Sequence, residues 1–365
     1  MKRTNLRAAA PLALAATVAF GLSACGAGNE AGADDTATAS ELSGTLNGAG
    51  ASSQEAAVAS WKQGFQTANP DVTVNYDPAG SGAGREQFLA GGTDFAGSDA
   101  YLDDEELTAA EKRCGSEVIE VPTYVSPIAV IYNLPGVDGL KLSPDTLGEI
   151  FAGTITTWDD AAIKADNPDA DLPSSKITPV HRSDDSGTTE NFTAYLAAAG
   201  PQGWTAGEVE TWPLKGGEGA QGTSGVVAAV QGGKGTIGYA DASQAGDLGV
   251  ASLKVGEEYV GPSPEAAAKI LEASKQKESR GDTHIVMDID HTTTESGVYP
   301  AVLLSYQIAC LDYDDEAKAD LVKGWLSYVA SSDGQKAAAE GAGSAPLTSG
   351  LEQRITGIVD GISAK

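Results

Sequence analysis

Histidine is scarce in this chain: His181, His284 and His291 are the only three in 365 residues. A serine hydrolase therefore has almost no candidate base, and no Gly-x-Ser-x-Gly elbow is present. His181 precedes Arg182, and strand alternation turns it away from any pocket that Arg182 faces. Positive charge is also short: 23 Lys and Arg stand against 51 Asp and Glu, a net charge of −28. Such a surface repels nucleic acid. It repels small anions at long range too, so an anion site here must act through short, directed hydrogen bonds. The phosphate-loop pattern Gly-x-x-x-x-Gly-Lys-Ser/Thr is missing. The glycine pairs also fail the dinucleotide fingerprint, because Ser53 and Arg85 stand at its last Gly/Ala position.

Cysteine occurs three times. Cys25 closes Leu22-Ser23-Ala24-Cys25, after a basic start (Lys2, Arg3, Arg7) and an apolar run from Ala8 to Leu22. That order is similar to a bacterial lipoprotein signal, with residues 1–24 removed and Cys25 lipidated; a plain secretory signal is the alternative. The apolar run is short for a membrane span. Residues 25–41, mostly Gly, Ala, Asp and Thr, read as a disordered tether. Without the three signal cations, 20 basic residues face 51 acidic ones, a net charge of about −31. Outside the membrane, Cys114 and Cys310 are expected to form a disulfide; two separate buried thiols are the alternative.

The rest alternates helix-like and strand-like segments, an α/β pattern. Val58, Trp61 and Phe65 mark an amphipathic helix. Val72 to Tyr76 is a strand, a helix begins at Arg85, Asp94 to Asp99 is a short strand, and Asp103 to Glu106 is an acidic first helical turn. Val118 to Val121 and Ser126 to Tyr132 read as two strands separated by Pro122. Pro144 to Trp158 and Asp159 to Lys164 look helical, Gly216 to Gly225 an exposed loop, and Gly235 to Tyr239 a strand. Pro264 to Lys275 reads as a helix, His284 to Ile289 as a strand, and Leu321 to Ala330 as a closing helix.

The most informative stretch is His181-Arg182-Ser183-Asp184-Asp185-Ser186-Gly187-Thr188-Thr189. It joins an apolar strand (Ile177 to Val180) to a helical pattern (Asn191 to Ala199), so a cation, hydroxyls and a Gly gather at a helix start. Helix-start N–H groups attract anions, and an Arg fork grips oxygens in pairs. Gly48-Ala49-Gly50-Ala51-Ser52 and Gly80-Ser81-Gly82-Ala83-Gly84 offer similar turns. Each could be an ordinary cap, but three together point to capture of a small oxyanion. Asp99 either caps the next helix or accepts a proton from the ligand; hydrogen phosphate has an O–H to give, and sulfate has none. Asp288, Asp290 and His291 lack a fourth metal ligand, so no metal is expected. The Asn191-Phe192-Thr193 sequon lies within a helical pattern and is discounted.

These residues resemble the phosphate-binding lipoproteins of bacterial phosphate ABC transporters, the PstS type. The likeness covers nearly all of the chain past the tether. Its landmarks are Gly48 to Ser52, Tyr76 to Ser81, Asp94 to Asp99, Trp158-Asp159-Asp160, Arg182 with Ser186-Gly187-Thr188, Ile237-Gly238-Tyr239 and Ala345-Pro346-Leu347. The resemblance implies a two-lobed α/β fold of the type II periplasmic-binding kind, each lobe a mixed sheet flanked by helices. Residues 42–131 plus 296–365 would form lobe I and 132–295 lobe II. It implies that Ser52 and Ser81 supply hydroxyl and N–H, that Asp99 accepts the phosphate O–H, and that Arg182, held by Asp184, forms the ionic fork. Ser186, Gly187 and Thr188 would donate from the helix start. Ser53 stands where the family often has Phe; its N–H would serve while the apolar wall thins. Cys114 and Cys310 fall together in lobe I.

The function implied is capture of inorganic phosphate at the outer face of the cell membrane by a lipid-anchored monomer. Delivery would be to the permease subunits of an ABC transporter, with no cofactor and no chemistry. The alternatives are a receptor for another tetrahedral oxyanion such as sulfate, a secreted phosphatase or esterase, and a phosphate sensor.

Overall fold

Short β-rich stretches punctuated by glycine turns build the first half of the chain around parallel strands. The computed structural model describes residues 42–277 and 280–365. The expected signal segment, Cys25 and the tether lie outside the described residues. Strand β1 (Gly44–Gly50) leads through a 3₁₀ turn at Ser52–Gln54 into α1 (Glu55–Ala68), which buries Ala57, Val58, Trp61 and Phe65 at helical spacing. Then come β2 (Val72–Asp77), α2 (Ser81–Leu89) and β3 (Phe95–Ser98). Helix α3 (Asp104–Cys114) opens in a capping box between Asp103 and Glu106 and ends at left-handed Gly115. β4 (Val118–Asn133) is buried over nearly its whole length.

The middle of the chain supplies β5 (Lys141–Leu142), α4 (Pro144–Phe151), α5 (Ala161–Asp166), β6 (Thr178–Arg182), α6 (Gly187–Ala199), β7 (Glu218–Ala220), α7 (Gly222–Gly232) and β8 (Thr236–Asp241). Short strands β9 (Gly249–Val250), β10 (Ser252–Val255) and β11 (Glu258–Val260) precede α8 (Pro264–Ala273). The pair β12 (Lys275–Gln276) and β13 (Met287–Asp288) leads to the buried β14 (Val302–Cys310). β15 (Asp312–Tyr313), α9 (Glu316–Ala330), α10 (Ser332–Ala342), α11 (Ser349–Val359) and β16 (Ser363–Ala364) complete the chain.

The main sheet runs β2-β1-β3-β14-β4-β8-β6-β7. It is mixed: β1 is parallel to β2 and β3, β14 is antiparallel to β3 and β4, β8 is antiparallel to β4, and β6 is parallel to β8 and β7. One apolar cluster gathers α1, α9 and the strands up to Val125 and from Leu304; a second begins at Ile128 and ends at Leu303. Both long central strands therefore pass from one cluster into the next. The carboxyl ends of β1, β3 and β6 carry the residues considered below.

Several sequence expectations need correction. Pro122 does not break a strand, because β4 is continuous. Tyr306 pairs with Pro122 and Ser305 with Tyr124, which leaves Thr123 as an extra residue, and a bulge tolerates proline's missing donor. α2 starts at Ser81 and not at Arg85, since Gly80 takes a φ of 110° to turn the chain into it. α4 ends at Phe151, before left-handed Gly153, so Trp158 is not helical. Within Gly216 to Gly225, the expected loop carries β7 and the start of α7. Of His284 to Ile289 only Met287–Asp288 is strand, and two helices follow α9.

Cys114 and Cys310 form a disulfide, their Cα atoms 5.5 Å apart, tying the end of α3 to the end of β14. The sequence separation is 196 residues. A cross-link over so long a loop removes much freedom from the unfolded chain, typically about 2–5 kcal/mol of stability. The Cys114→Ser/Cys310→Ser double variant should unfold at lower denaturant by that amount; an unchanged midpoint in urea titration would show that the bond does not stabilise the fold.

Candidate functional site

Arg182 is the last residue of β6 and is 2% exposed, an expensive place for a guanidinium unless its donors are used. Its Nε donates to Asp184 Oδ1 at 2.8 Å and its Nη2 to Asp184 Oδ2 at 2.5 Å, a two-point fork that fixes the head group. Asp184 Oδ1 also accepts from the Gly222 N–H at 3.1 Å. Burial alone would raise the Asp184 pKa; the bond and charge of Arg182, with the Gly222 N–H, outweigh it and hold the group below its ordinary value. The Arg182 N–H donates to the Tyr239 hydroxyl at 3.2 Å, which pairs at 2.7 Å with Thr189 Oγ1. His181 faces elsewhere, its ring stacked on Trp212 at 4.6 Å.

The helix that follows is capped by Ser186, whose side chain accepts from the Thr189 N–H at 3.2 Å. The N–H groups of Gly187 and Thr188 come too early for a carbonyl partner within α6. Gly187 is needed by its neighbours: a Cβ there would lie 2.7 Å from Asp99 Cβ and 2.8 Å from Ser81 Oγ. Gly80 serves likewise on the other side, where a Cβ would lie 2.8 Å from Asp184 Oδ2. The starts of α2 and α6 are thus pressed together around Asp99 and Asp184.

Asp99 follows β3 and is 3% exposed. Its backbone N–H donates to Ser81 Oγ at 3.1 Å, and its carbonyl accepts from Asn191 Nδ2 at 2.8 Å. That second bond occupies the amide of the sequon. The carboxylate accepts from three hydroxyls: Ser53 at 2.8 and 2.7 Å to its two oxygens, Ser305 at 2.6 Å and Thr188 at 3.0 Å. Burial pushes its pKa up; the hydroxyls of Ser305, Ser53 and Thr188 and the charge of Arg182 oppose the rise without cancelling it. Ser52 meets the start of α7: its Oγ accepts from the Thr223 N–H at 3.0 Å and lies 3.0 Å from Thr223 Oγ1. Gln244 Nε2 donates to the Ser52 carbonyl at 3.0 Å.

The structure therefore gathers Ser52, Ser53, Ser81, Asp99, Arg182, Ser186, Gly187 and Thr188, all buried, with the half-buried Asp184 in one constellation. Sequence reading missed Ser305, Thr223, Gln244 and Asn191, which reach it from β14, α7, the turn after β8 and the face of α6. It also missed Arg85, whose guanidinium donates to Glu106 at 2.8 Å, to Ser98 at 3.1 Å and to both Glu210 oxygens at 3.0 and 2.7 Å. The pattern offered no signal for these beyond their polarity. Chemically, a fixed guanidinium, helix-start N–H groups and several hydroxyls suit a tetrahedral oxyanion. Among the described residues no group of His, Cys, Asp and Glu could hold a metal, and no helix is long and apolar enough to cross a membrane.

The fold and this arrangement define a periplasmic-binding-type domain, and a family model described as a PBP superfamily domain matches residues 35–333. The PstS2 phosphate-binding protein of Mycobacterium bovis BCG is 34% identical, with 98% of this chain and 99% of that protein aligned. PstS 3 of Mycobacterium tuberculosis H37Rv is 37% identical over 77% of each. The chain belongs to the PstS family of phosphate-binding proteins. A solved high-affinity periplasmic phosphate-binding protein, PfluDING, shares the fold at a TM-score of 0.67 and 21% identity, over 86% of this chain and 93% of its own.

Beside the constellation, Glu190 on α6 has its pKa pushed to about 8, first by burial, then by the charges of Glu210 and Glu208. The folded protein thus keeps a proton that the unfolded chain releases near the ordinary carboxylate pKa. Stability on this account is greatest in acid and declines as pH rises from about 4.5 to 8. Glu190→Gln should flatten that decline and be the more stable protein at pH 8, the gap narrowing at roughly 1.4 kcal/mol per pH unit on the way to pH 5. Urea titrations across this range test it; parallel curves for the two proteins would contradict the assignment.

Proposed function

We propose that this chain captures inorganic phosphate as the extracytoplasmic, lipid-anchored receptor of an ABC transporter and performs no chemistry on it. The observation that carries the reading is Asp99: a buried carboxylate set against the start of α6, close enough to Arg182 to feel its charge. A carboxylate in an anion site makes sense when the anion has a proton to give. Hydrogen phosphate donates its O–H to Asp99 and presents its remaining oxygens to Arg182, the hydroxyls of Ser52 and Ser81, and the N–H groups of Ser53, Gly187 and Thr188. Sulfate turns an oxygen lone pair toward Asp99 instead. An unsatisfied buried group costs about 1–3 kcal/mol, more when charged, enough for tenfold to hundredfold rejection.

The names of the relatives support phosphate as the ligand. Lipidation at Cys25, release by two lobes opening along β4 and β14, and delivery to permease subunits extend the reading from the family resemblance and the lipoprotein-like start. A Ser/His hydrolase is disfavoured because among the described residues no histidine is hydrogen-bonded to a hydroxyl it could activate: His181 stacks on Trp212, His284 contacts Glu120 at 3.2 Å, and His291 contacts the Pro300 carbonyl at 2.8 Å.

Titration calorimetry tests the reading. Wild type should bind phosphate about tenfold to hundredfold more tightly than sulfate at neutral pH. Arg182→Ala should lose roughly a hundredfold or more in phosphate affinity, because a buried charge network is left unpaired. Asp99→Asn, which can donate as well as accept, should bring the two anions within about tenfold of each other. Equal binding of both anions by wild type would sink the proposal.

A further inference from the structure

Asp99 is held by more hydroxyls than a lone proton check requires, and two of them, from the first turn and from β14, serve the carboxylate alone. Ser53 is the residue after the first-turn hydroxyl; its side chain is fully buried and spans both carboxylate oxygens at 2.8 and 2.7 Å. Ser305 is also fully buried and donates to Oδ1 at 2.6 Å. Its aim follows from the sheet. β3 and β14 pair with Ser98 opposite Tyr306, so the next rung brings Asp99 and Ser305 face to face. The β4 bulge at Thr123 falls at that same rung, where the register shifts between Ser305 and Tyr306.

We propose that Ser53 and Ser305 are the specificity-setting partners of Asp99, two buried donors that keep its carboxylate ionised, so that it accepts a proton from the ligand and never donates one. This rests on the phosphate reading above. The logic is chemical. Were Asp99 protonated, its O–H would point a donor at the ligand, and sulfate would then be welcomed where it had been refused. Burial drives Asp99 in that direction, and only hydrogen bonds and positive charge hold it back. Thr188 would also meet the ligand through its N–H, whereas the Ser53 and Ser305 hydroxyls make no other side-chain hydrogen bond among the described residues. A side chain without a hydroxyl at position 53 would supply no such donor.

The other groups around Asp99 are Arg182 at the end of β6 and Tyr76 on β2, which interact with it electrostatically. The cavity beside it is lined by Glu190, Glu208, Lys277, Asp288 and His291, with Tyr101 and Tyr306. None of these is altered by changing Ser53 or Ser305, so a comparison of serine variants isolates the hydroxyls.

Sulfate is the clean probe, because its charge is constant over the working range. The full chain is titrated with sodium sulfate from about pH 8 to pH 4, and the pH at which sulfate binding begins is recorded for wild type, Ser53→Ala and Ser305→Ala. Each lost hydroxyl should raise that onset by about one pH unit, the double variant by about two. Ser53→Thr and Ser305→Thr, which keep a hydroxyl, should restore the wild-type onset, an outcome that a merely structural role would not give. In parallel, the carbon-13 shift of the Asp99 carboxyl is followed in the ligand-free proteins, and its midpoint should rise in step with the sulfate onset. Onsets that coincide in wild type and alanine variants, or an Asp99 midpoint that does not move, overturn the inference. Phosphate binding by wild type at pH 8 is a separate arm: its absence defeats the phosphate reading, while the carboxyl titration still decides what the two serines do.

Discussion

A carboxylate and a guanidinium buried in one constellation constrain everything around them. Neither tolerates dehydration alone, so each must be given hydrogen bonds as well as charge. Arg182 receives Asp184, and Asp99 receives Ser53, Ser305 and Thr188. The chain meets this demand by bringing the carboxyl ends of β1, β3 and β6 and the starts of α2, α6 and α7 to one place. Glycines at 80 and 187 follow from the same demand, since any side chain there would hold these helix starts apart.

The bonds that close the constellation come from residues far apart in sequence. Ser52 meets Thr223, Asp99 meets Thr188 and Ser305, and Arg85 on α2 meets Glu210. The Ser52–Thr223, Asp99–Thr188 and Arg85–Glu210 bonds couple the first segment of the chain to the middle one, and Ser305 joins from the last. Under the proposed function, ligand capture and the closing of these contacts are a single event, and their energy is the difference between a closed form and an open one. On that reading the Arg85–Glu210 pair, which makes no use of the ligand, would favour closure whether or not phosphate is bound. The affinity then reflects both the pocket and this standing preference.

Much of this was legible in the sequence because it is local. Turn chemistry, the Arg182-to-Thr188 stretch and the glycines announce a strand giving way to a helix with donors at its start, and that is where the structure has them. The long-range partners were not legible. Ser305 reads as one more residue of the strongly apolar run from Tyr299 to Cys310, and only the antiparallel register opposite β3 turns it toward Asp99. Thr223 and Gly222 sat in a stretch that looked like a loop, because glycine hides a helix start whose stability comes from packing and not from propensity. Pro122 looked like a break because a bulge cannot be seen from one strand alone. Ser53 was read through its backbone, with its side chain taken as a lost apolar contact, whereas the hydroxyl is spent on the carboxylate.

The central claim is that Asp99 and Arg182 hold a protonated tetrahedral oxyanion between them. A high-resolution crystal structure of the protein grown with phosphate tests this most directly. The account predicts density for one phosphate whose protonated oxygen lies within hydrogen-bond reach of the Asp99 carboxylate while others meet the Arg182 guanidinium and the Gly187 and Thr188 N–H groups. Phosphate bound elsewhere, or bound with Asp99 turned away from it, would contradict the account.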